Sequence, residues 1–395
     1  RLMSTLKVGA SRGTGASSDA VTINATDGTC TAKLTSIGGN QLSGRNVIIN
    51  GGMLVAQRGT SSTDTQMKTV DRIQFVKSNT DQLAWTQKQV DDYPDGFSKS
   101  YEIDVTTAET ALAADELCYI RYKVEAQDLR PFYKASGAGR NFTLSFWVKA
   151  KQTGTYQVSI HKEDNGVRFI TATYTISVAD TWERKSITFT GDTGTTGINA
   201  DAGQGFDITW KLAVGTDYTS GGAQTTWGSF SNAVFGGGHA VDFTSSTANY
   251  YRITGIQLEV GDIATEFEQK TFAEELQRCL RYYEHSYPYG NYAGNTSHDG
   301  SYQCGSSQVT CTNTTGRTMG SRLTYRVNKR NKPTATIWDF GGNSGKLFRH
   351  SYGSSGSNNQ SADAGNFSDT GFNMYSEGTH NATGWMAHWV ADAEL

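Results

Sequence analysis

Apolar and polar positions alternate in short runs along most of this chain, and the period changes clearly at one place. From Arg252 to Glu284 the sequence reads RITGIQLEVGDIATEFEQKTFAEELQRCLRYYE. In its first part Ile253, Gly255 (or Ile256), Gln257 and Glu259 alternate with their neighbours, the period-2 pattern of a strand. After Phe267 the spacing becomes helical, with Phe272, Leu276, Cys279, Leu280 and Tyr283 on one stripe. Thr271 with Glu274 three residues later makes a capping box, which satisfies orphan amides at a helix start. A β-rich unit therefore closes here, and one amphipathic helix leads into residues 285–395.

Upstream of that junction, strand-like runs recur with turn signals between them, the pattern of an all-β sandwich. They fall at residues 72–76, 102–106, 118–124, 169–178, 206–214 and 250–260. Leu144, Phe146 and Val148 face one way, with Ser145, Trp147 and Lys149 opposite; Tyr156, Val158 and Ile160 alternate likewise. Asp164-Asn165-Gly166 predicts a hairpin turn, and Tyr93-Pro94-Asp95-Gly96 a turn in which Pro presets φ and Gly accepts a positive one. No strand–helix–strand alternation appears, which argues against a parallel α/β fold. Residues 1–45 hold only two short alternating runs around an Asp27-Gly28 turn, too small a hairpin to stand alone. Residues 37–44 read as a linker. After the helix, residues 321–327, 334–339 and 384–390 are the clearest strands, and the low-complexity stretch between the last two predicts loops and hairpins. The chain thus divides into three units: 1–45, an attachment or oligomerisation segment; 46–268, a β-sandwich; 269–395, a helix-led smaller β domain.

Composition sharpens this. The 395 residues include 44 glycines and only 4 prolines, so the chain is turn-dense β structure rather than a Pro-rich tail. A formal net charge of -3 argues against nucleic acid as a partner. No run of about 18 apolar residues exists, so no membrane insertion is expected. RLMSTLKVGAS lacks the apolar core of a secretory signal. Cysteines 30, 118, 279, 304 and 311 form an odd, scattered set and not a disulfide framework. Cys279 reads as a small buried hydrophobe; Cys304 and Cys311 could bridge a hairpin.

Catalytic patterns are missing from the sequence: no G-x-S-x-G elbow, no H-E-x-x-H helix, no C-x-x-C pair. GGNSGK at residues 341–346 lacks the spacing of a phosphate loop and the Ser or Thr that should come after its Lys. Asp91, Asp92 and Asp95, like Glu163 and Asp164, cluster in turns and read as solvated turn carboxylates rather than a hydrolytic pair. No enzymatic activity is expected.

Residues 257–284 resemble the junction found in many tail-fibre and other virion structural proteins of bacteriophages. NVIINGGMLVAQRGTSS, residues 46–62, resembles the opening strand of the same module, and TLSFWVKAK (143–151) and TWERKSITFTG (181–191) resemble strands of related carbohydrate-binding jelly-roll modules. The resemblance covers residues 46–284 well and 285–395 weakly, and leaves the Gly-rich segment 220–238 unassigned. It implies a jelly-roll β-sandwich followed by a short helix and a second β domain, in a non-enzymatic virion fibre subunit made in the bacterial cytoplasm. It also implies a homotrimer, joined to other virion proteins through its N-terminal segment and facing host surface polysaccharide or lipopolysaccharide. A capsid decoration or head-fibre protein, and a carbohydrate-binding adhesin outside a virion, are the alternatives. Jelly-roll modules of this kind often hold a structural Ca2+ near the first and last strands; Asp71 lies near the first here and Glu259 and Asp262 near the end of the last, but they define no ligand set, and no cofactor is expected.

Sugars stack their C–H faces on aromatic rings while polar neighbours bind their hydroxyls. Loop aromatics are therefore the candidate glycan contacts: Tyr93, Trp227, Tyr287, Tyr289 and Tyr292. Packing inside the fold or between subunits competes with sugar contact at Trp227 and in the tyrosine run. Trp147 and Trp182 read as structural.

Overall fold

The computed structural model describes residues 10–11, 21–23, 30–32, 36–37, 40–41, 44–194, 197–305, 317–351, 354–377 and 384–395. The early segments are five short strands: β1 (Ala10–Ser11), β2 (Val21–Ile23) and β3 (Cys30–Ala32) in one sheet, β4 (Ser36–Ile37) and β5 (Asn40–Gln41) in another. The two alternating runs of the sequence are thus β2 and β3, paired Val21 to Ala32; their Asp27-Gly28 turn lies outside the described residues.

The sandwich comprises β6 (Ser61–Ser62), β7 (Ile73–Ser78), β8 (Ala84–Val90), β9 (Ser100–Thr107), β10 (Leu117–Glu125), β11 (Phe142–Ala150), β12 (Gly154–Lys162), β13 (Arg168–Ile176), β14 (Glu183–Phe189), β15 (Gln204–Val214) and β16 (Tyr250–Val260). One sheet has the order β13-β12-β15-β10-β7, the other β14-β11-β16-β9-β8-β6. The chain passes repeatedly from one sheet to the other, so sequential strands are seldom neighbours; this is a jelly roll. The period-2 pattern explains it. Phe206, Ile208, Trp210 and Leu212 of β15 point inward, as do Leu144, Phe146 and Val148 of β11, and all seven are essentially inaccessible. Phe146 meets Tyr174 and Trp210 edge-on, with ring centroids 5.1 and 5.8 Å apart. Each such ring withdraws about 150–250 Å² from water, which makes the aromatic layer a main source of stability.

Turn chemistry falls where expected. Asn165 and Gly166 both have positive φ (51° and 99°) in the β12–β13 hairpin, and Phe97 donates to the Pro94 carbonyl in the 93–96 turn. Gly255 has φ +63°, and a Cβ there would meet the Phe97 ring at 2.6 Å. The kink coincides with a register shift between β11 and β16, so glycine is required at this bulge.

Helix α2 (Phe272–Leu280) comes next, with both hydrogen bonds of the Thr271–Glu274 capping box in place. It is shorter than its stripe: Arg281 caps it, Tyr283 belongs to β17 (Tyr283–His285), and Phe272 is exposed. The helix faces back toward the sandwich, where Cys279 and Leu276 pack with Tyr282 on Ile49, Leu54 and Val55. Cys279 is a free, buried thiol. Beyond it lie β18 (Tyr302–Gly305), β19 (Arg317–Thr324), β20 (Thr334–Trp338), β21 (Lys346–Ser351), β22 (Ser354–Gly365), β23 (Gly371–Glu377) and β24 (Gly384–Asp392). β24 pairs with β17, β18, β20 and β21 and organises a second core around Leu347, Phe372, Met374, Trp385 and Trp389. The low-complexity stretch forms the β21–β22 hairpin, in line with its composition, with β22 a polar strand of 12 residues. Cys311 lies outside the described residues, and with it the suggested Cys304 bridge.

Candidate functional site

The outward face of the β13-β12-β15-β10 sheet carries the chemistry. Alternation places apolar residues inward, and the intervening positions form rows across the strands. Arg121 is in register with Thr209, Thr209 with Ser159, and Ser159 with Thr171. The next row is Lys123, Asp207, His161 and Phe169; on the other side Tyr119 pairs with Lys211, and Gln157 with Thr173. Charged, hydroxyl and aromatic groups thus stand on a rigid sheet, the mixture that binds sugar hydroxyls and C–H faces.

These rows are covered. The segment between β15 and β16 folds over them through a 3-10 turn (Thr216–Tyr218) and the one-turn helix α1 (Asn232–Phe235). It runs along the outer edge of β13: Phe169 and Gly228 exchange both backbone hydrogen bonds, and Thr171 donates to the Gln224 carbonyl. Its rings then reach across the face. Phe235 lies 3.5 Å from the Lys211 Nζ and 5.5 Å from the Tyr119 ring, while Phe230 stacks on His161 at 4.9 Å. The glycines let the segment fold tightly on itself: a Cβ on Gly237 would lie 1.7 Å from the Gly222 carbonyl oxygen.

Covering the rows changes their electrostatics. Lys211 is fully buried and its Nζ donates to the hydroxyls of Ser159, at 3.2 Å, and Thr209. Burial lowers its pKa well below the ordinary lysine value, opposed by Asp207. Asp207 is held through Oδ2 by Arg121, whose Nε donates at 2.8 Å. Burial also lowers His161, against the pull of Glu163, whose Oε1 lies 3.0 Å from Nδ1. Asp207 Oδ1, Gln157 Oε1 and His161 Nε2 are buried without a hydrogen-bond partner among the described residues.

The candidates read from the sequence are scattered. Trp227 belongs to the covering segment, but its ring packs near Phe142 and Phe206 and its Nε1 donates to the Thr190 carbonyl at 2.7 Å. Its competing packing role is the one the geometry displays. Tyr93 is exposed in its turn, away from the rows. Tyr287 corrects the expectation of an accessible loop ring: it is 1% exposed and stacked on His388 at 3.8 Å, because the chain turns inward there to complete the second core. Tyr289 is exposed, edge-on to Phe272 at 4.8 Å, with its hydroxyl accepting from the Ala56 amide. Tyr292 is half-buried. Of the carboxylates read as solvated in turns, Asp91 and Asp95 are exposed, and Asp92 needs correction. Asp92 accepts from Lys149 and Trp182, at 2.8 and 2.9 Å, and from Arg252. Burial opposes but does not prevent the lowering of its pKa by these donors.

Asp71 and Glu259 do not fit a shared cation. Asp71 is taken up by Gln57 and Arg58, and Glu259 by Gln257 and Thr265. No group of three or more potential metal-ligating side chains occurs among the described residues. No helix there is long and apolar enough to cross a membrane.

No protein-family model and no curated protein sequence matches the chain. Several solved structures are similar to part of it. The enzymatically active domain of tailspike protein 4 from bacteriophage CBA120 is 13% identical over 54% of this chain and 21% of its own length, with a TM-score of 0.29. A family 11 carbohydrate-binding module from a cellulosomal cellulase of Clostridium thermocellum is 10% identical over 52% of this chain and 96% of that one, with a TM-score of 0.27. A xylan-binding domain from Paenibacillus barcinonensis is 7% identical over 53% and 99%, with a TM-score of 0.25. The jelly-roll assignment rests on the strand order itself.

Proposed function

We infer that this chain is a non-enzymatic glycan-recognition subunit of a phage virion appendage, a tail fibre or related fibre, that binds host surface polysaccharide or lipopolysaccharide. The observation that carries the glycan reading is the polar and aromatic row structure on the outward sheet face, with Tyr119, Arg121 and His161 at its accessible margin and Phe230 exposed beside them. A binding role is favoured over hydrolysis because the two carboxylates at these rows are already engaged, Asp207 by Arg121 and Glu163 by His161. The virion setting and a homotrimeric state draw on the phrases at residues 46–62 and 257–284.

Binding of the purified chain to an array of host-surface glycans tests the reading. Tyr119→Ala and Phe230→Ala should each weaken a positive signal by about tenfold, since a lost stacking surface is worth on the order of 1–2 kcal/mol. Signal unaffected by both substitutions would move the site elsewhere. Immunogold labelling of intact particles decides the virion setting, and sedimentation of the full chain decides the oligomeric state; a stable monomer would remove the trimer.

A further inference from the structure

A cavity of about 540 Å³ opens where the sandwich, helix α2 and the second β unit meet. Its volume is in the range of about 300–1,000 Å³ usual for small-ligand sites. Local structure places polar groups in it. The turn Ala126–Phe132 between β10 and β11 is a 3-10 helix, whose side chains repeat every three residues. Ala126, Leu129 and Phe132 are buried at that spacing, so Gln127, Asp128 and Pro131 fall outside the core and line the cavity. Helix α2 supplies the facing wall in the same way. Leu276 and Cys279 pack on the sandwich, which leaves Gln277, Arg278 and Arg281 along the opening. Val47 and Val327 add apolar surface, one from each β unit.

The walls are fastened without using up these groups. Arg281 grips Glu125 with two hydrogen bonds, of 2.8 and 2.9 Å, and so ties the helix end to the start of the turn. Gln127 Nε2 donates to the same carboxylate at 2.7 Å, which leaves the Gln127 amide oxygen open to the cavity. Arg278 makes only long contacts among the described residues, 3.5 Å to the Ile48 carbonyl and 3.7 Å to Glu275. Asp128 and Gln277 have neither a hydrogen bond nor an ion pair there. The fold gains nothing from the Asp128 charge. Burial, and then the Glu125 charge, raise its pKa above the ordinary carboxylate value, although Arg278 and Arg281 draw it down.

These charges select among ligand classes. Arg281 is matched by Glu125 and Arg278 stands by Glu275, so Asp128 is the charge left over. An anion would meet that carboxylate, and an ammonium group would meet two guanidinium groups. An apolar ligand would take Asp128 out of water unpaired. Hydroxyl groups suit every member of the set: they donate to Asp128 and Gln127 Oε1, and accept from Arg278 and Gln277. Val47, Pro131 and Val327 match the C–H faces of a sugar ring.

We propose that the cavity between turn 126–132 and helix α2 binds a neutral saccharide, with Asp128 and Gln277 as its main hydrogen-bonding groups. It shares no residue with the rows on the outward sheet face, so it is a second glycan site that stands or falls separately from them. Its ligand reaches it from solvent with every element in place, since Gly44 and Gln277 at its rim are exposed.

Calorimetry on the full chain tests this with neutral cellotetraose, maltotetraose and mannotetraose, acidic tetragalacturonate and the cationic tetramer of glucosamine. At least one neutral probe should bind more tightly than both charged ones. Asp128→Asn should weaken that binding by roughly tenfold, since charge-assisted hydrogen bonds are lost. The same change should leave the unfolding midpoint at pH 7 unchanged or higher, because it removes a carboxylate whose ionisation the fold disfavours. Gln277→Ala, on an exposed helix position, should weaken binding by about threefold or more. In the wild-type chain the bound probe should slow amide hydrogen exchange at residues 126–132 and 276–281, a readout independent of any variant's folding. Tighter binding of a charged probe, equal binding by Asp128→Asn, or a lowered midpoint in that variant would each overturn the inference. So would silence of all three neutral probes. A host-glycan signal lost in Phe230→Ala but kept in Asp128→Asn would overturn this site and leave the sheet face standing; the reverse pattern would support the cavity and remove the sheet face.

Discussion

Arg72 and Glu394 pair inside the protein although 322 residues separate them. The Arg72 guanidinium lies 3.5 Å from the Tyr282 ring centroid and 5.5 Å from that of Tyr122, and also donates to the Lys123 carbonyl at 2.7 Å. Arg58 reaches the other Glu394 oxygen at 3.1 Å. Burial works against the charge on Arg72, but Glu394 and the two phenols more than offset it and hold the guanidinium cationic. The pair ties the edge of the sandwich at β7 to the chain just beyond β24.

Glu394→Gln should therefore destabilise the protein by about 3–5 kcal/mol, because it strands a buried guanidinium. Adding Arg72→Met to that variant should recover a large part of the loss. Urea unfolding of the two single variants and the double variant measures this. A single-variant loss below about 1 kcal/mol would show that water reaches the pair.

Stability should fall with acid earlier than carboxylate titration alone would bring. Burial pushes His239 and His285 down to about 4 from an ordinary 6.5. Both are neutral in the fold and take up protons on unfolding. Their contribution is complete above about pH 6.5 and is lost as the pH falls toward 4. Unfolding midpoints measured from pH 7 to 4 should show this decline, and His285→Gln should flatten it. An unchanged midpoint down to pH 4.5 would contradict the sign.

Asp339 closes the GGNSGK loop in place of an anion. Its carboxylate accepts from the amides of Gly341, Asn343 and Asn359, at 2.8, 2.9 and 2.7 Å. Burial opposes its ionisation, yet these donors lower its pKa. Asp339→Ala should cost about 2–4 kcal/mol, leaving three donors unpaired, and hydrogen exchange should accelerate at those three amides before it does in the sandwich. Uniform acceleration across both units would show that the loop is not a local fastening.

The tyrosine run should divide by burial. Tyr287→Ala removes a ring packed on His388 and should cost about 3–5 kcal/mol, whereas Tyr289→Ala should cost less than about 1 kcal/mol. Neither variant, nor Tyr93→Ala, should alter glycan binding beyond the measurement error. Lost binding in Tyr289→Ala with stability intact would place a sugar contact at the junction.

Much of the fold was legible because the period-2 pattern and the turn residues are local: the Asn165-Gly166 hairpin, the inward row of β11 and the Thr271 cap all derive from neighbours in sequence. The helix end was less so. Tyr283 continues the helical stripe, but pairing with Asp392 draws it into a strand, and that partner lies far along the chain. The candidate site was hidden for a related reason. β10 and β15 already display Tyr119, Arg121, Asp207 and Lys211 at alternate positions, yet only the sheet order places those four side by side. Loop aromatics drew attention because loops usually carry contacts; Tyr287 shows a loop ring recruited into a core, and Trp227 one held against the sandwich.

The Gly228 and Gln224 contacts along β13 have a consequence for assembly. They occupy hydrogen-bonding groups of a border strand that would otherwise be open to another chain. At the border of the opposite sheet, β14 presents Glu183, Arg184 and Lys185, poor company for an approaching ribbon. At these two borders, copies of this sandwich that meet side by side do so through side-chain surfaces, and runaway stacking of sheet on sheet is discouraged there.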